Sequence, residues 1–410
     1  MEFSKQNKQV VMLYTATLSG VLLGMLSSIV NTRFLAPSDY GDVRYVQNII
    51  NFLSAFLLFG YFLSGARLMA ISTNKNYTQR IKGMMVIILA MACTALILVM
   101  PICYYLHVDK PTVAILFLVS MPVCIYPLLY NYIEQTAQGD NQIGRLSLAR
   151  LLPFLVYVPM AYILYSHYGT TSIFMILLQW GLYSLIYICI IISTKPIFKN
   201  VKNAWDILHE ENKRYGIQLY MGSLVMVTTN YLAGITLGLF NSDNSEVGFY
   251  TLALTITSPL STLPAIIGTT LFKKFASQPC IPTKIIVSTV LITSATWLLF
   301  LLLINTIVGI LYTERYAIVG IYASFLSVGC CIHGIGDMFN KYMCSHGQGV
   351  SIRNASIANG VFKIIGYIVL VAAFNTNGAI ATTIACDIIY FMCLIYYYIV
   401  FIKKTAHGQI

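Results

Sequence analysis

Twelve apolar runs, separated by short polar breaks, occupy nearly the whole of this 410-residue chain and decide its solvent. They fall at residues 10–30, 45–71, 83–105, 113–134, 147–167 and 172–193, then at 216–239, 249–272, 285–312, 318–339, 354–374 and 378–402. A hydrocarbon core about 30 Å thick is crossed by roughly 20 helical residues rising about 1.5 Å each, so every run is long enough to span a bilayer. A membrane β-barrel would show short segments of alternating polarity; here 58% of residues are hydrophobic and lie in near-continuous stretches. The expected fold class is all-α, a polytopic membrane protein of about 12 transmembrane helices.

A formal charge of +11 would point to nucleic acid in a soluble chain, but in a membrane protein basic residues report topology. With the N-terminus inside, nineteen lysines and arginines fall on the cytoplasmic side. Only Arg33, Arg44, Lys110 and Arg315 fall outside, and Arg67 and Lys363 lie within runs. Both termini are therefore expected in the cytoplasm, the partners of the basic surface are membrane lipids, and no nucleic acid is expected. The first run lacks a small-residue cleavage site behind it and reads as a retained helix. The ten cysteines are scattered through apolar stretches without the Cys/His spacing a metal needs, so neither metal nor cofactor is expected.

The longest break, 194–215, mixes Lys195, Lys199, Lys202, Lys213 and Arg214 with Trp205, Ile207 and Leu208 and reads as an amphipathic cytoplasmic connector. It would join an N-lobe at 1–193 to a C-lobe at 216–410. Two echoes support the division: Ser38-Asp39-Tyr40-Gly41 against Ser245-Glu246-Val247-Gly248, and Tyr132 with Gln138-Gly139 against Tyr342 with Gln348-Gly349. An even number of runs separates the copies, so the halves would share one orientation, as two six-helix lobes around a central cavity. Pro122 and Pro127, Pro153 and Pro159, and Pro259 and Pro264 predict bent helices in runs four, five and eight.

An ionisable group near the bilayer centre costs on the order of 3 kcal/mol, which makes each one a candidate for function. Lys363 and Asp387 lie near the middle of runs eleven and twelve, at similar depth if adjacent runs are antiparallel, and could form an ion pair or serve separately as cationic contact and coupling carboxylate. Arg67 lies about one turn from the end of run two, where it either snorkels to the interface or offers an anion contact. Glu134 with Asn131 in run four, and Asp337 with His333 in run ten, take similar depths in the two halves, as solvated helix ends or as a polar vestibule. Runs one and seven carry Thr17, Ser19, Gly20, Gly24, Ser27, Ser28 and Asn31, and Ser223, Thr228, Thr229, Asn230 and Thr236, which suit either tight helix packing or a water-facing seam. Arg33 and Arg44 could hold a phosphate by a bidentate fork or pair locally with Asp39 or Asp42. No loop houses a soluble catalytic domain, no P-loop is present, and no nucleophile cluster stands out, so an enzyme is not expected.

The stretch from Asn31 through Arg33, Phe34, Pro37, Ser38, Asp39, Tyr40 and Gly41 to Tyr45, Val46, Gln47, Gly60 and Arg67 resembles the opening of the polysaccharide transporter family. This is the O-antigen flippase branch of the multidrug/oligosaccharidyl-lipid/polysaccharide exporter superfamily. The segment from Val247 to Ala253 resembles the same family at run eight. The resemblance implies export of an undecaprenyl-diphosphate-linked oligosaccharide, the O-antigen repeat unit, from the cytoplasmic to the periplasmic leaflet of the bacterial inner membrane by alternating access, ahead of the polysaccharide polymerase machinery. On that reading Arg33, Arg67 and Lys363 are the substrate-binding residues, and Asp387, Glu134 and Asp337 the ion-coupling candidates. Two rivals stand beside it: a cation-coupled multidrug exporter of the same fold, and a membrane-embedded O-antigen polymerase or glycosyltransferase.

Overall fold

In the computed structural model residues 5–406 are described, and among them every regular element is helical. The chain forms α1 (Lys5–Phe34), α2 (Pro37–Phe56), α3 (Tyr61–Ile71), α4 (Lys75–Leu106), α5 (Pro111–Val119), α6 (Tyr126–Gly139), α7 (Ile143–Tyr168) and α8 (Ser172–Ser193). It continues through α9 (Val201–Glu211), a π-helical turn (Asn212–Gly216), α10 (Ile217–Phe240), α11 (Ser245–Thr270), α12 (Phe272–Phe275), α13 (Thr283–Leu311), α14 (Ile318–Ser345) and α15 (Gly349–Ala406). The side chains of Ser223 and of three of the nineteen cytoplasmic cations, Lys5, Lys8 and Lys273, lie outside the described residues.

Local chemistry sets the boundaries. Pro37 and Pro111 stand in the first turns of α2 and α5, where a missing N–H costs nothing. Asn74 and Thr171 accept hydrogen bonds from the N–H groups of Asn76 and Phe174 that open α4 and α8. Among the described residues eight helices are long and apolar enough to cross a membrane, nine when the bent pair α2–α3 counts as one span. Two of the twelve runs share α15, run four is divided between α5 and α6, each shorter than a single span, and run seven coincides with the 24-residue α10. The protein is thus a multi-pass, all-α membrane protein whose helices coincide in position with the apolar runs.

Three runs depart from simple spans. Run two is broken between Phe56 and Tyr61 with a bend of 60°. Run four is interrupted between Val119 and Tyr126, at Pro122, whereas α7 and α11 continue unbroken through their paired prolines. Runs eleven and twelve meet at Asn375, whose φ of 51° and ψ of −130° are not helical. The Tyr367 hydroxyl lies 3.1 Å from Thr383 Oγ1, so the two arms of α15 run side by side in opposite directions.

Two compact units divide the chain, Met1–Tyr231 and Leu232–Ile410. In the first, α1 packs along α7, with Gly20 beside the Arg150 carbonyl and Gly24 against Phe154, so the small residues of run one serve helix contact. In the second, α14 packs against α11 and α15 over a core that includes Phe275, Met338, Tyr342, Tyr390 and Tyr398. The sequence echoes have matching roles inside each unit. Tyr132 and Tyr342 are both fully buried, and each hydroxyl meets a main-chain carbonyl, Lys82 O at 3.3 Å in one case and Pro279 O at 2.7 Å in the other. Asp39 and Glu246 each stand in the first turn of a helix and accept hydroxyl hydrogen bonds, from Ser172 and from Tyr322.

The break in run two is held by residues far along the chain. Its freed carbonyls at Ala55 and Phe56 accept from the Tyr220 hydroxyl at 3.1 and 3.0 Å, and Phe59 O accepts from Asn212 Nδ2 at 3.0 Å. Asn212 Oδ1 in turn accepts from Ser64 Oγ. Gly60 has φ +79°, and a Cβ there would lie 2.5 Å from Gly216 O. A Cβ on Gly216 would lie 2.0 Å from Ser64 Oγ. Two glycines are therefore required for the broken span and the π-turn to meet. Gly60→Val and Gly216→Val are each expected to destabilise the protein by about 1–3 kcal/mol, whereas Gly309→Ala, whose Cβ would meet nothing within 4 Å, lowers nothing. Thermal unfolding in detergent reads this out; an unchanged midpoint for Gly216→Val would dismiss the joint.

Candidate functional site

Two adjoining cavities of about 430 and 370 Å³ open within the first unit and share Tyr126 and Tyr130 of α6. Thr17, Gly20, Arg150, Phe154 and Tyr187 complete one; Asn51, Ser54, Asn131, Glu134 and Tyr231 help complete the other. The break before α6 turns its first two turns so that Tyr126 and Tyr130 face α8. Tyr126 stacks on Tyr187 with centroids 5.7 Å apart and 14° between planes, and lies 5.3 Å from both Trp180 and Tyr183. Tyr130 lies 5.7 Å from Tyr187. Rings with apolar faces and hydroxyl edges thus surround a space rimmed by amides and charges.

Arg150 is the charge that organises this wall. Its Nη2 donates to Glu134 Oε1 at 2.8 Å and its Nη1 to Thr17 Oγ1 at 2.7 Å, tying α7 to α6 and α1. The charge count puts Arg150 on the cytoplasmic side, at the start of run five; it lies two turns inside α7. Arg44, just ahead of run two, lies two turns inside α2, over the Tyr40 ring and donating to Gln47 at 2.9 Å. From Gln47 a buried chain runs through Gln179 to Ser27, and beside it Tyr157 donates to Asn31 Oδ1. Lys82, just ahead of run three, is buried and paired with Asp140 at 2.5 Å. Each of these cations has its partner on a helix or turn that hydropathy alone does not bring near, except Gln47, three residues from Arg44.

The second unit holds a compact titratable cluster on α14 and the second arm of α15. Asp387, 5% exposed, accepts from or shares a proton with His333 Nδ1 at 3.0 Å. His333 lies 3.9 Å from Asp337 through Nε2 and stacks on Tyr390 at 4.7 Å. The Tyr390 hydroxyl donates to Asp337 at 3.1 Å. Two carboxylates, one imidazole and one phenol thus form two hydrogen-bonded pairs, His333 with Asp387 and Tyr390 with Asp337, whose charged groups approach to 3.9 Å and can hold a proton between them. Among the described residues no group of three His, Cys, Asp or Glu is placed to hold a metal ion.

The sequence-derived candidates find unequal company. Arg33 is exposed in the last turn of α1. Arg67 Nη1 is bonded to Glu211 at 2.6 Å and its guanidinium lies over the Tyr215 ring, so its charge is balanced at the joint. Glu134 is paired with Arg150, and Asp337 belongs to the His333 cluster. The antiparallel arms of α15 bring Lys363 level with Asp387, as the sequence predicts, yet Lys363 makes no ion pair among the described residues; Asp387 turns instead to His333. The sequence marks His333 by depth alone, and the signal for its part in the cluster is its spacing to Asp337, one helical turn.

The polysaccharide biosynthesis protein family matches over residues 7–277. Curated protein sequences give no match. Among solved structures, the lipid II flippase MurJ in an inward closed conformation is similar at TM-score 0.74 and 13% identity, covering 96% of this chain and 89% of that one. An inward-facing multidrug resistance MATE family transporter of the MOP superfamily gives 0.70 at 13% identity, covering 95% of each. A MOP superfamily transporter from Pyrococcus furiosus gives 0.59 at 13%, covering 97% and 96%. At such identities the likeness establishes the fold, which is that of the MOP transporters.

Because Arg150 and Glu134 hold each other across α6 and α7, their substitutions are expected to be coupled. Arg150→Met and Glu134→Gln together should cost less than the sum of each alone, by about 0.5–1.5 kcal/mol in unfolding free energy. Strict additivity in that cycle would show that the pair is incidental.

Proposed function

This chain belongs to the polysaccharide biosynthesis protein family, and on that premise we propose that it is a flippase for an undecaprenyl-diphosphate-linked oligosaccharide, the O-antigen repeat unit. It carries this substrate from the cytoplasmic to the periplasmic leaflet of the bacterial inner membrane by alternating access, with both of its own termini in the cytoplasm. The observation that carries the reading is the tyrosine-walled cavity rimmed by Arg150, Glu134, Asn51 and Asn131. Sugar rings offer C–H faces to stack on aromatic rings and hydroxyls to exchange hydrogen bonds with amides and charges. The fold likeness to a lipid II flippase agrees with a lipid-linked cargo.

The diphosphate needs cations without a carboxylate already in place. Lys363 meets that condition in the second unit, and Arg33 is exposed at the end of α1. Arg67 serves only by exchanging Glu211 for phosphate, and Arg150 by exchanging Glu134. Coupling to a proton gradient is assigned to Asp387 and Asp337, with His333 between them, and Glu134 is the corresponding carboxylate of the first unit. The polymerase machinery would receive the delivered unit.

The MATE likeness sustains one second reading, a cation-coupled multidrug exporter, because the fold is common to both. The leaflet distribution of undecaprenyl-linked repeat units in cells lacking the protein separates them. Accumulation in the cytoplasmic leaflet, relieved by the intact chain but about tenfold less by Arg150→Ala or Lys363→Ala and fully by Lys404→Ala, is expected. Normal delivery without the protein and without a second flippase would reject the substrate and favour drug export. Loss of proton-driven transport in Asp387→Asn is expected as well; its retention would move coupling elsewhere.

A further inference from the structure

A third cavity, of about 560 Å³, has the opposite character. Its floor is one face of α4, where Ile88, Ala92 and Ala95 follow each other at helical spacing, and its walls are Leu57 and Phe59 from the break after α2. The two alanines make the floor a slot about two turns long, roughly 10 Å by helical rise. Met91 and Phe59 at its edges are 65% and 52% exposed, as expected of side chains that face lipid. The slot lies wholly inside the first unit.

One end of the slot is different. Trp205 and His209 of α9 stack on each other at 5.2 Å and on Tyr61, whose hydroxyl also meets His209 Nδ1 at 3.0 Å. Beside them Lys213 lines the cavity, exposed, and makes no ion pair among the described residues. Between 195 and 214 the chain has five basic residues and three acidic ones, and one of the acids, Glu211, is already neutralised by Arg67. An anion arriving at this end therefore meets a net positive field with a free ammonium at the mouth of an apolar slot.

We propose that this slot binds one membrane phospholipid with an anionic headgroup, an acyl chain lying along α4 and the phosphate at Lys213. The site is separate from the cavity assigned to the oligosaccharide and does not depend on what that cavity carries. A soluble anion would leave the apolar floor bare, and a zwitterionic lipid would gain nothing from the positive end. Aromatic side chains at the mouth are the usual company of a lipid headgroup boundary. The bound chain touches Leu57 and Phe59 on one side and Asn212, Lys213 and Ile217 on the other, so it bridges the broken span and the π-turn that caps it. The lipid thereby braces the joint.

Native mass spectrometry and thermal unfolding of the delipidated full-length protein test this. The probes are phosphatidylglycerol, phosphatidylcholine, undecaprenyl phosphate and inorganic phosphate. Phosphatidylglycerol is expected to bind one to one and raise the unfolding temperature, and phosphatidylcholine to do neither. Lys213→Glu, an exposed change that leaves the fold intact, should weaken phosphatidylglycerol about tenfold. Ala92→Phe with Ala95→Phe should fill the slot and abolish the adduct. Equal binding of the two phospholipids, or undiminished binding in Lys213→Glu, would overturn the proposal. Displacement of phosphatidylglycerol by inorganic phosphate, or tighter binding of undecaprenyl phosphate, would also overturn it, in favour of a bare anion site or a site for the carrier lipid. Flipping activity enters none of these readouts, so failure of the flippase reading would leave this result standing, and the reverse.

Discussion

A helix broken inside an apolar span frees main-chain carbonyls that lipid cannot satisfy, and the first unit is arranged around that constraint. The carbonyls of Ala55, Phe56 and Phe59 find the Tyr220 hydroxyl and the Asn212 amide, both more than 150 residues away in sequence. The connector must therefore return to α3 and α4 before α10 can begin. It does so through α9, with Ile197 N bonded to Gln79 O and Leu208 fully buried. The π-turn at Asn212–Gly216 is the local adjustment that aims the Asn212 side chain at Phe59. Arg67, beside the same joint, is consequently engaged with Glu211.

The tyrosine-walled space and the slot beside this joint differ as the two ends of an amphiphile do. The tyrosine-walled space is polar at its rim and suits hydroxylated rings, whereas the slot along α4 is apolar with one cationic end. A smaller cavity of about 230 Å³ has Gly60 and Tyr220 of the joint in its lining together with Asn131 and Glu134. A change at the break therefore alters the walls of both kinds of space. In the second unit the break at Asn375 plays a simpler part: it folds α15 back so that Lys363 and Asp387 share a level while α14 claims the carboxylate.

Much of this was legible from sequence, for a physical reason. Bilayer thickness fixes the length of an apolar run, so the runs coincide in position with helices among the described residues, broken in runs two and four, and Pro122 marks the interruption between α5 and α6. The internal echoes were legible because they mark the same jobs, a buried tyrosine on a carbonyl and an acid at a helix start. Hydropathy fails where it equates charge with loop. Arg44, Lys82 and Arg150 each lie two turns inside a helix, where Gln47 accepts a hydrogen bond from Arg44 and the carboxylates of Asp140 and Glu134 balance Lys82 and Arg150. Depth along α15 could be read for Lys363 and Asp387, but rotation about the helix axis could not, since it is set by packing against α14.

The chain has three tryptophans, and each belongs to a different one of these features. Trp180 lies against Tyr126 in the tyrosine wall, Trp205 stacks with Tyr61 and His209 at the joint, and Trp297 donates to Ser327 between α13 and α14. The protein is in effect built with one intrinsic fluorophore per working part. Keeping a single indole at a time gives an optical signal from the tyrosine wall, the joint or the second unit alone, with no label attached.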